Sequence, residues 1–328
     1  MKALVLHKPG EIKLEEVADP APDKGWVRIK VKRVGICGTD KAFYKGTYVP
    51  PKLPLIPGHE IAGIVDEAPG MEHLEGMKVT TEINVNCEKC WYCKHGMPTH
   101  CPYRETIGIS IDGGMAEYVL TKPHLLHSIE GLSWGEGAFV EPLAAVVEML
   151  EMQPLKPSDR VAILGIGTIG LLSAQLIRLI TPNVVAIARE DSPKRKIAEK
   201  FVDVITVKEA REYAKSKTPE GQGFDYVVEA TGSPNALNLA LELVRPRGVI
   251  AAKSTHGAQV SFDYTLMVVK EVRIIGSRCG PFEKAIDLIR SGMIKVKPLI
   301  TSTFKLDDGV EAFKKSFNRK EIKVQLTP

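Results

Sequence analysis

No apolar run in this 328-residue chain approaches the roughly 20 residues a helix needs to cross a bilayer, which excludes a helical membrane protein. The first eight residues, from Met1 to Lys8, hold too short an apolar stretch for a signal peptide and show no cleavage site. Charge of one sign is also missing. Forty-four Lys and Arg face 40 Asp and Glu, a formal net charge of +4, too near balance for a dedicated binder of nucleic acid or anionic membrane. Aromatic residues make up only 6% of the chain, and it has no internal repeat and no low-complexity tract. What is present is ordinary for a globular protein: 44% hydrophobic and 26% charged residues, with a mean hydropathy of −0.04, enough to bury a sizeable core. The length favours two domains, and the expected setting is soluble and cytoplasmic.

Cysteine is scarce, six residues in all, yet four of them (Cys87, Cys90, Cys93 and Cys101) fall in one short segment. A disulfide framework is not expected in a chain of this length without an export signal. C-x2-C-x2-C-x7-C instead places four thiolates on tight turns, which suits a closed tetrahedral zinc site, whereas the ferredoxin run for an iron–sulfur cluster has a different final spacing. His95 and His100 lie within this lobe and read as loop residues beside four available sulfurs.

The chain changes texture along its length. Residues 1–140 read as short strands at 3–6, 26–34, 61–67 and 115–119, broken by dense Gly and Pro turn signals. After Pro157-Ser158-Asp159 a strand at 160–164, a Gly-rich turn and a helix at 169–180 open an alternating region. Strands follow at 184–188, 203–207, Phe224–Glu229, 249–252 and 272–275. Helices lie between several of them, one at 234–244 and one running to about 201 with Ser192 as N-cap and Pro193 in its first turn. Alternation of this kind means parallel βαβ units. Beyond Gly276 come a helix at Phe282–Arg290, a strand at 299–304, a helix at 309–317 and a strand at 322–326. The expected class is α/β, a β-rich domain with a doubly wound parallel-sheet domain inserted before its C-terminal part.

Gly165-Ile166-Gly167-Thr168-Ile169-Gly170 is G-x-G-x-x-G between a predicted strand and a predicted helix, the context in which this pattern binds a dinucleotide. The first Gly makes the turn, the second admits the pyrophosphate and the third packs helix on strand, with the phosphates at the helix N-terminus. About 20 residues on, where an NAD-binding fold carries an acidic residue, this chain has Arg189, with Lys194 and Arg195 nearby. A guanidinium suits a 2′-phosphate, so the reading leans to NADP. NAD remains the alternative, with Glu190 taking the ribose hydroxyl. Thr231, Ser254, Ser277 and Arg278 fall at carboxyl ends of strands and are further cofactor candidates.

Gly35-Ile36-Cys37-Gly38-Thr39-Asp40, Gly58-His59-Glu60 and Val140-Glu141-Pro142, taken in this order with the glycine turn and the four-cysteine lobe, resemble the zinc-dependent medium-chain alcohol dehydrogenases over essentially the whole chain. The resemblance implies a GroES-like catalytic domain from residues 1–146 and 277–328, with a structural-zinc lobe at 84–103. It also implies a Rossmann domain at 147–276 and two zinc ions per chain, the catalytic one in an interdomain cleft. Carried over by position, Cys37, His59 and Glu141 are ligands of the catalytic zinc, and Glu60 is a neighbouring carboxylate that ligates the metal or exchanges with its water. Asp40 orients His59, and the Thr39 hydroxyl passes a proton towards solvent. A zinc with an open position acidifies an alcohol, and the nicotinamide takes the hydride.

Glu141 in place of a third cysteine resembles the threonine and polyol branch, although Asn84 stands where the threonine enzyme carries a histidine. Phe43, Tyr44, Ile83 and Trp91 are pocket or rim candidates. The expected substrate is a small alcohol, diol or polyol, converted to its ketone or aldehyde, and the expected assembly is a homodimer or homotetramer. The rival readings are an NAD-dependent L-threonine 3-dehydrogenase-like enzyme and a non-catalytic nucleotide-binding protein with a zinc lobe.

Overall fold

The computed structural model describes residues 1–328 and divides them into two compact units. One comprises residues 1–141, 282–290 and 300–328, the other residues 142–281 and 291–299. No helix is long and apolar enough to cross a membrane.

The first unit is built on a seven-stranded sheet. Its path runs Ile300–Lys305, Lys323–Thr327, Val27–Gly35, Glu60–Glu67, Lys78–Thr81, Leu126–Ser128, and Tyr118–Thr121 also pairs with Val27–Gly35. The C-terminal strand is therefore seated beside an N-terminal one, with Gln325 opposite Gly35. An antiparallel ribbon, Lys2–Lys8 on Glu11–Glu16, stands apart from this sheet. Leu4, Val27, Ile29, Ile61, Phe313 and Leu326 are among the residues that close the core, all essentially without solvent exposure. Alternation is visible in Val27–Gly35, where Val27, Ile29 and Val31 point inward between half-exposed or exposed charged residues.

Two helices position candidate ligands. Helix α1 (Gly38–Lys45) begins directly after Cys37 and ends at Gly46, which takes φ +73°. Helix α2 (Val140–Met152) carries Glu141 in its first turn.

In the second unit, the strands β1 (Val161–Leu164), β2 (Val184–Ile187), β3 (Asp203–Ile205), β4 (Phe224–Glu229), β5 (Val244–Ala252) and β6 (Arg273–Gly276) form one sheet in the order 3-2-1-4-5-6, every neighbouring pair parallel. This is the doubly wound topology that the alternation predicts. All four residues of β1 and of β2 are buried, as strands covered on both faces must be, and so they read as unbroken apolar runs. Helix α3 (Thr168–Arg178) follows β1 and is buried from Gly170 to Ile177.

Two local expectations differ from the structure. The helix foreseen after Ser192-Pro193 is the single turn Arg195–Ala198, without a side-chain cap from Ser192. The preceding segment closes successive three-residue turns instead, Ser192 N–H to Arg189 C=O and Arg195 N–H to Ser192 C=O. The third strand stops at Ile205 because Thr206 caps a further helix, Val207–Lys217, through a capping box with Glu209.

Candidate functional site

The four-cysteine lobe is the more compact of two metal-ligand sets. The sulfurs of Cys87, Cys90, Cys93 and Cys101 all lie within 4.8 Å of one another. The separations are 3.5 Å for Cys90–Cys93, 3.8 Å for Cys90–Cys101 and 3.5 Å for Cys87–Cys101. A tetrahedron of zinc–sulfur bonds of about 2.3 Å has edges of about 3.8 Å, so the sulfurs stand at ligand spacing and far from disulfide contact. The backbone N–H of Lys89, and secondarily that of Cys90, point at the Cys87 sulfur and lower its pKa to about 6, while burial pushes the Cys93 thiol up. The donor chemistry and spacing fit zinc.

The second set is assembled from three distant stretches. Cys37 sits at the N-cap of α1, His59 immediately precedes the strand Glu60–Glu67, and Glu141 lies in the first turn of α2. All three belong to the first unit. His59 and Glu141 are buried, and the His59 ring hydrogen-bonds the Cys37 sulfur. Burial disfavours the imidazolium, but the charges of Cys37 and Asp40, with Glu141 adding to them, outweigh it and hold the His59 pKa well above the ordinary value.

Asp40 organises the ligands. Its Oδ2 accepts the Cys37 N–H at 2.7 Å, and its Oδ1 accepts the Gly58 N–H at 3.3 Å and stands 3.6 Å from His59 Nδ1. That buried Nδ1 has no hydrogen-bond partner within range. A ligating imidazole donates its other N–H to a carboxylate, and Asp40 is where such a carboxylate belongs. The residues therefore fit zinc here as well. Thr39 is buried in the same first turn of α1.

Glu60 has a partner that the sequence did not announce. Both of its oxygens meet Lys323 Nζ, at 2.5 and 2.7 Å, and both side chains are buried. Burial opposes the Lys323 ammonium, but Glu60 and Cys37 outweigh it and raise its pKa. Gly35 lies opposite Glu60, and a Cβ there would fall 1.9 Å from Glu60 Oε2, so only glycine leaves room for the carboxylate. Lys323 stands 263 residues along the chain from Glu60, and no local pattern marks the pair.

The pocket candidates resolve into structural roles. Phe43 and Ile83 are buried, Phe43 within the core of the first unit. Tyr44 packs on Phe313 and Phe317, while Trp91 is 59% exposed on the lobe and stacks on His95 at 4.2 Å.

In the second unit the three glycines divide their work as the motif requires. Gly165 takes φ +99°, and a Cβ on it would come within 2.7 Å of the Ala230 carbonyl. A Cβ on Gly170 would lie 2.0 Å from the Gly165 carbonyl, whereas one on Gly167 would meet nothing within 4 Å. The open side belongs to Gly167, at the N-cap of α3, which has no side-chain cap on its first N–H groups. Thr168 and Ile169 form the opening of that helix. The turn abuts the end of β4 beside β1, where the strand order reverses and dinucleotides bind. This cradle fits a pyrophosphate.

At the same edge the buried carboxylate of Glu229, the last residue of β4, collects three hydrogen bonds on Oε1: Thr231 N–H at 2.8 Å, Thr231 Oγ1 at 2.7 Å and Ser254 Oγ at 3.0 Å. It brings two of the predicted cofactor residues together, and nothing in the sequence singled it out. Ser277 and Arg278 follow β6. Arg189 and Glu190 are exposed just past β2, and Lys194 precedes the short helix Arg195–Ala198. Arg195 is turned towards β3, donating to the Val204 carbonyl at 2.6 Å.

Residues 23–131 match the family model of the alcohol dehydrogenase GroES-like domain, and residues 165–291 match that of zinc-binding dehydrogenases. The chain is 31% identical to D-arabinitol dehydrogenase 1 of Uromyces fabae, covering 100% of this chain and 97% of the relative. It is similar to the crystal structure of a Sinorhizobium meliloti zinc-binding dehydrogenase bound to NADP (TM-score 0.88, 30% identity, 100% and 99% of the two chains). A second crystal structure, an Escherichia coli alcohol dehydrogenase complexed with NADH, is similar at TM-score 0.89 and 27% identity, over 100% and 99%.

Proposed function

The chain belongs to the zinc-dependent medium-chain alcohol dehydrogenases, and on that premise we propose that it interconverts a polyol or diol and the corresponding carbonyl compound with NADP(H). The observation that carries this reading is the Cys37–His59 contact in one unit, with Asp40 accepting the Cys37 N–H and standing 3.6 Å from His59 Nδ1, and Glu141 adding to the negative field at His59. The likeness to an arabinitol dehydrogenase supports the choice of a polyol.

When bound, zinc supplies a Lewis acid that acidifies an alcohol, and the nicotinamide supplies the hydride acceptor. The side chains of Cys37, His59 and Glu141 would hold the catalytic metal, and those of Cys87, Cys90, Cys93 and Cys101 the structural ion. Asp40, whose Oδ1 stands 3.6 Å from His59 Nδ1, is the carboxylate that would orient the ligating ring. Thr39, two residues after Cys37, moves the substrate hydroxyl proton towards solvent. Glu60 is held in place by Lys323, whose ammonium meets both of its oxygens. Gly165, Gly167 and Gly170 shape the turn that receives the pyrophosphate at the start of α3, with Thr168 and Ile169 supplying N–H groups there. Thr231, Ser254, Ser277 and Arg278 line the carboxyl edge of the sheet, and Arg189 with Lys194 receives the 2′-phosphate.

The assembly we infer is a homodimer or homotetramer. Strand β6 is the outer strand of its sheet and is not buried, and Tyr264, Val268 and Val269 beside it are exposed. Light scattering on the purified protein reads the state directly. A cytoplasmic location accords with six cysteines that form no disulfide.

The test is a panel of four- to six-carbon alditols, their phosphates and vicinal diols, each assayed with NADP+ and NAD+ on zinc-loaded protein. Turnover of a polyol with a lower KM for NADP+ is the expected result. In the Arg189→Asp variant the KM for NADP+ should rise roughly tenfold while that for NAD+ falls. Zinc-loaded protein that turns over nothing on the panel would overturn the reading.

A further inference from the structure

The side chain of Lys253 takes no part in the chemistry proposed for the site, yet its ammonium makes three hydrogen bonds at the carboxyl edge of the parallel sheet. Residue 253 directly follows β5, and its N–H still pairs with the Glu229 carbonyl at 2.8 Å. Its ammonium reaches the Ala145 carbonyl at 2.7 Å, the Ser277 carbonyl at 2.7 Å and Ser277 Oγ at 2.9 Å. An ammonium carries three N–H donors and no acceptor, so one side chain ties a carbonyl of α2 to both polar groups of the turn after β6. Its neighbour Ser254 donates to Glu229 Oε1 and accepts the Gly232 N–H at 2.8 Å. Two consecutive residues thus fasten three segments: α2, the 277 turn and the 229–232 turn. Of the cofactor candidates at this edge, Ser277 is bonded by Lys253, while Thr231 and Ser254 share the Glu229 carboxylate whose backbone carbonyl accepts the Lys253 N–H.

We infer that Lys253 is a positioning residue for the nicotinamide cofactor: its ammonium holds the turn at Ser277 against α2, so that the carboxyl edge is already shaped when the dinucleotide arrives. The inference rests on the reading of this edge as a dinucleotide site. Two features favour a role in binding over a purely structural tie. The bonds lie past the strand end, on the edge where ligands of doubly wound sheets bind, and not in the apolar interior. A fixed cation at that edge also attracts an anionic dinucleotide, which a neutral donor would not do.

The experiment compares full-length, zinc-loaded Lys253→Met and Lys253→Arg with wild type, using NADPH fluorescence titration, steady-state kinetics and thermal unfolding. The methionine keeps the stem and removes the charge and all three donors. Its NADPH Kd and NADP+ KM should both rise roughly tenfold, with the alcohol KM much less affected and two zinc ions per chain retained. The arginine variant, which keeps the charge and several donors, should recover most of the loss. Should the methionine variant fail to fold, Lys253→Gln is titrated in its place, with the same rise expected. A folded variant that binds NADPH like wild type overturns the inference, even where its unfolding temperature falls, since that pattern marks a structural tie alone. Wild type binding neither NADPH nor NADH would instead bring down the dinucleotide reading itself.

Discussion

The two proposed sets of zinc ligands are built in opposite ways. The lobe draws four sulfurs from 15 residues of chain, between Cys87 and Cys101, and brings them all within 4.8 Å of one another. The other set draws one thiol, one imidazole and one carboxylate from positions 37, 59 and 141, and is held by side chains behind it: Asp40 on the ligands, and Lys323 on Glu60. A structural site closes its coordination shell with its own ligands, whereas a catalytic site leaves a position open and depends on neighbours for rigidity. Damage to the first set should therefore register as lost stability, and damage to the second as lost chemistry.

That contrast can be broken by substitution. The largest expected effect is on activity. Glu141→Ala should lower kcat/KM by about a thousandfold, some 4 kcal/mol of transition-state stabilisation, while the lobe zinc and the unfolding temperature stay close to wild type. A wild-type rate in that variant would remove Glu141 from the ligand set. Next comes Lys323→Met, which leaves the Glu60 carboxylate buried without its ammonium and should cost about 3–5 kcal/mol in chemical denaturation. The double variant Lys323→Met with Glu60→Gln should recover part of that loss, because the stranded charge is then gone. Cys90→Ser should cost on the order of 3 kcal/mol and drop the zinc content from two to one, while the molecules that remain folded keep their turnover rate. Activity lost in proportion to the lobe metal would erase the distinction between the two sets.

The same contrast explains what could be read in the sequence. The lobe and the glycine turn are legible because their parts are close together in the chain: ligand spacing in one case, strand–turn–helix context in the other. The parallel sheet is legible because buried strands such as Val161–Leu164 are apolar throughout. Cys37, His59 and Glu141 are individually indistinct, and only their resemblance to a family grouped them. Lys323 was invisible, since a lysine in a C-terminal strand looks like solvated surface until the strand is seated against Val27–Gly35. Glu229 is hidden in the sequence for a similar reason: a carboxylate ending a strand becomes a hub only when the turns after β4 and β5 meet on it. The helix expected after Ser192-Pro193 failed locally, because three-residue turns used the backbone groups that an α-helix would have needed.

The smallest effect in the series isolates what supports the open site. Asp40 is acceptor-only, and its two oxygens serve the Cys37 N–H, the Gly58 N–H and the side of His59 that carries Nδ1. Asparagine has nearly the same shape but a single acceptor oxygen. Whichever way the amide turns, its NH2 group faces either the Cys37 N–H or the donors at Gly58 and His59, and one of those is left without an acceptor. Asp40→Asn should therefore weaken zinc at the Cys37–His59–Glu141 set by about 10- to 100-fold, with the protein still folded. The lobe has no equivalent dependence, because backbone N–H groups of its own loop serve the Cys87 sulfur. Titration with a chromophoric chelator should strip one zinc from the variant at a concentration that leaves wild type with two. Loss of both ions together would mean that the two sets are coupled, and that the lobe's self-sufficiency has been misjudged.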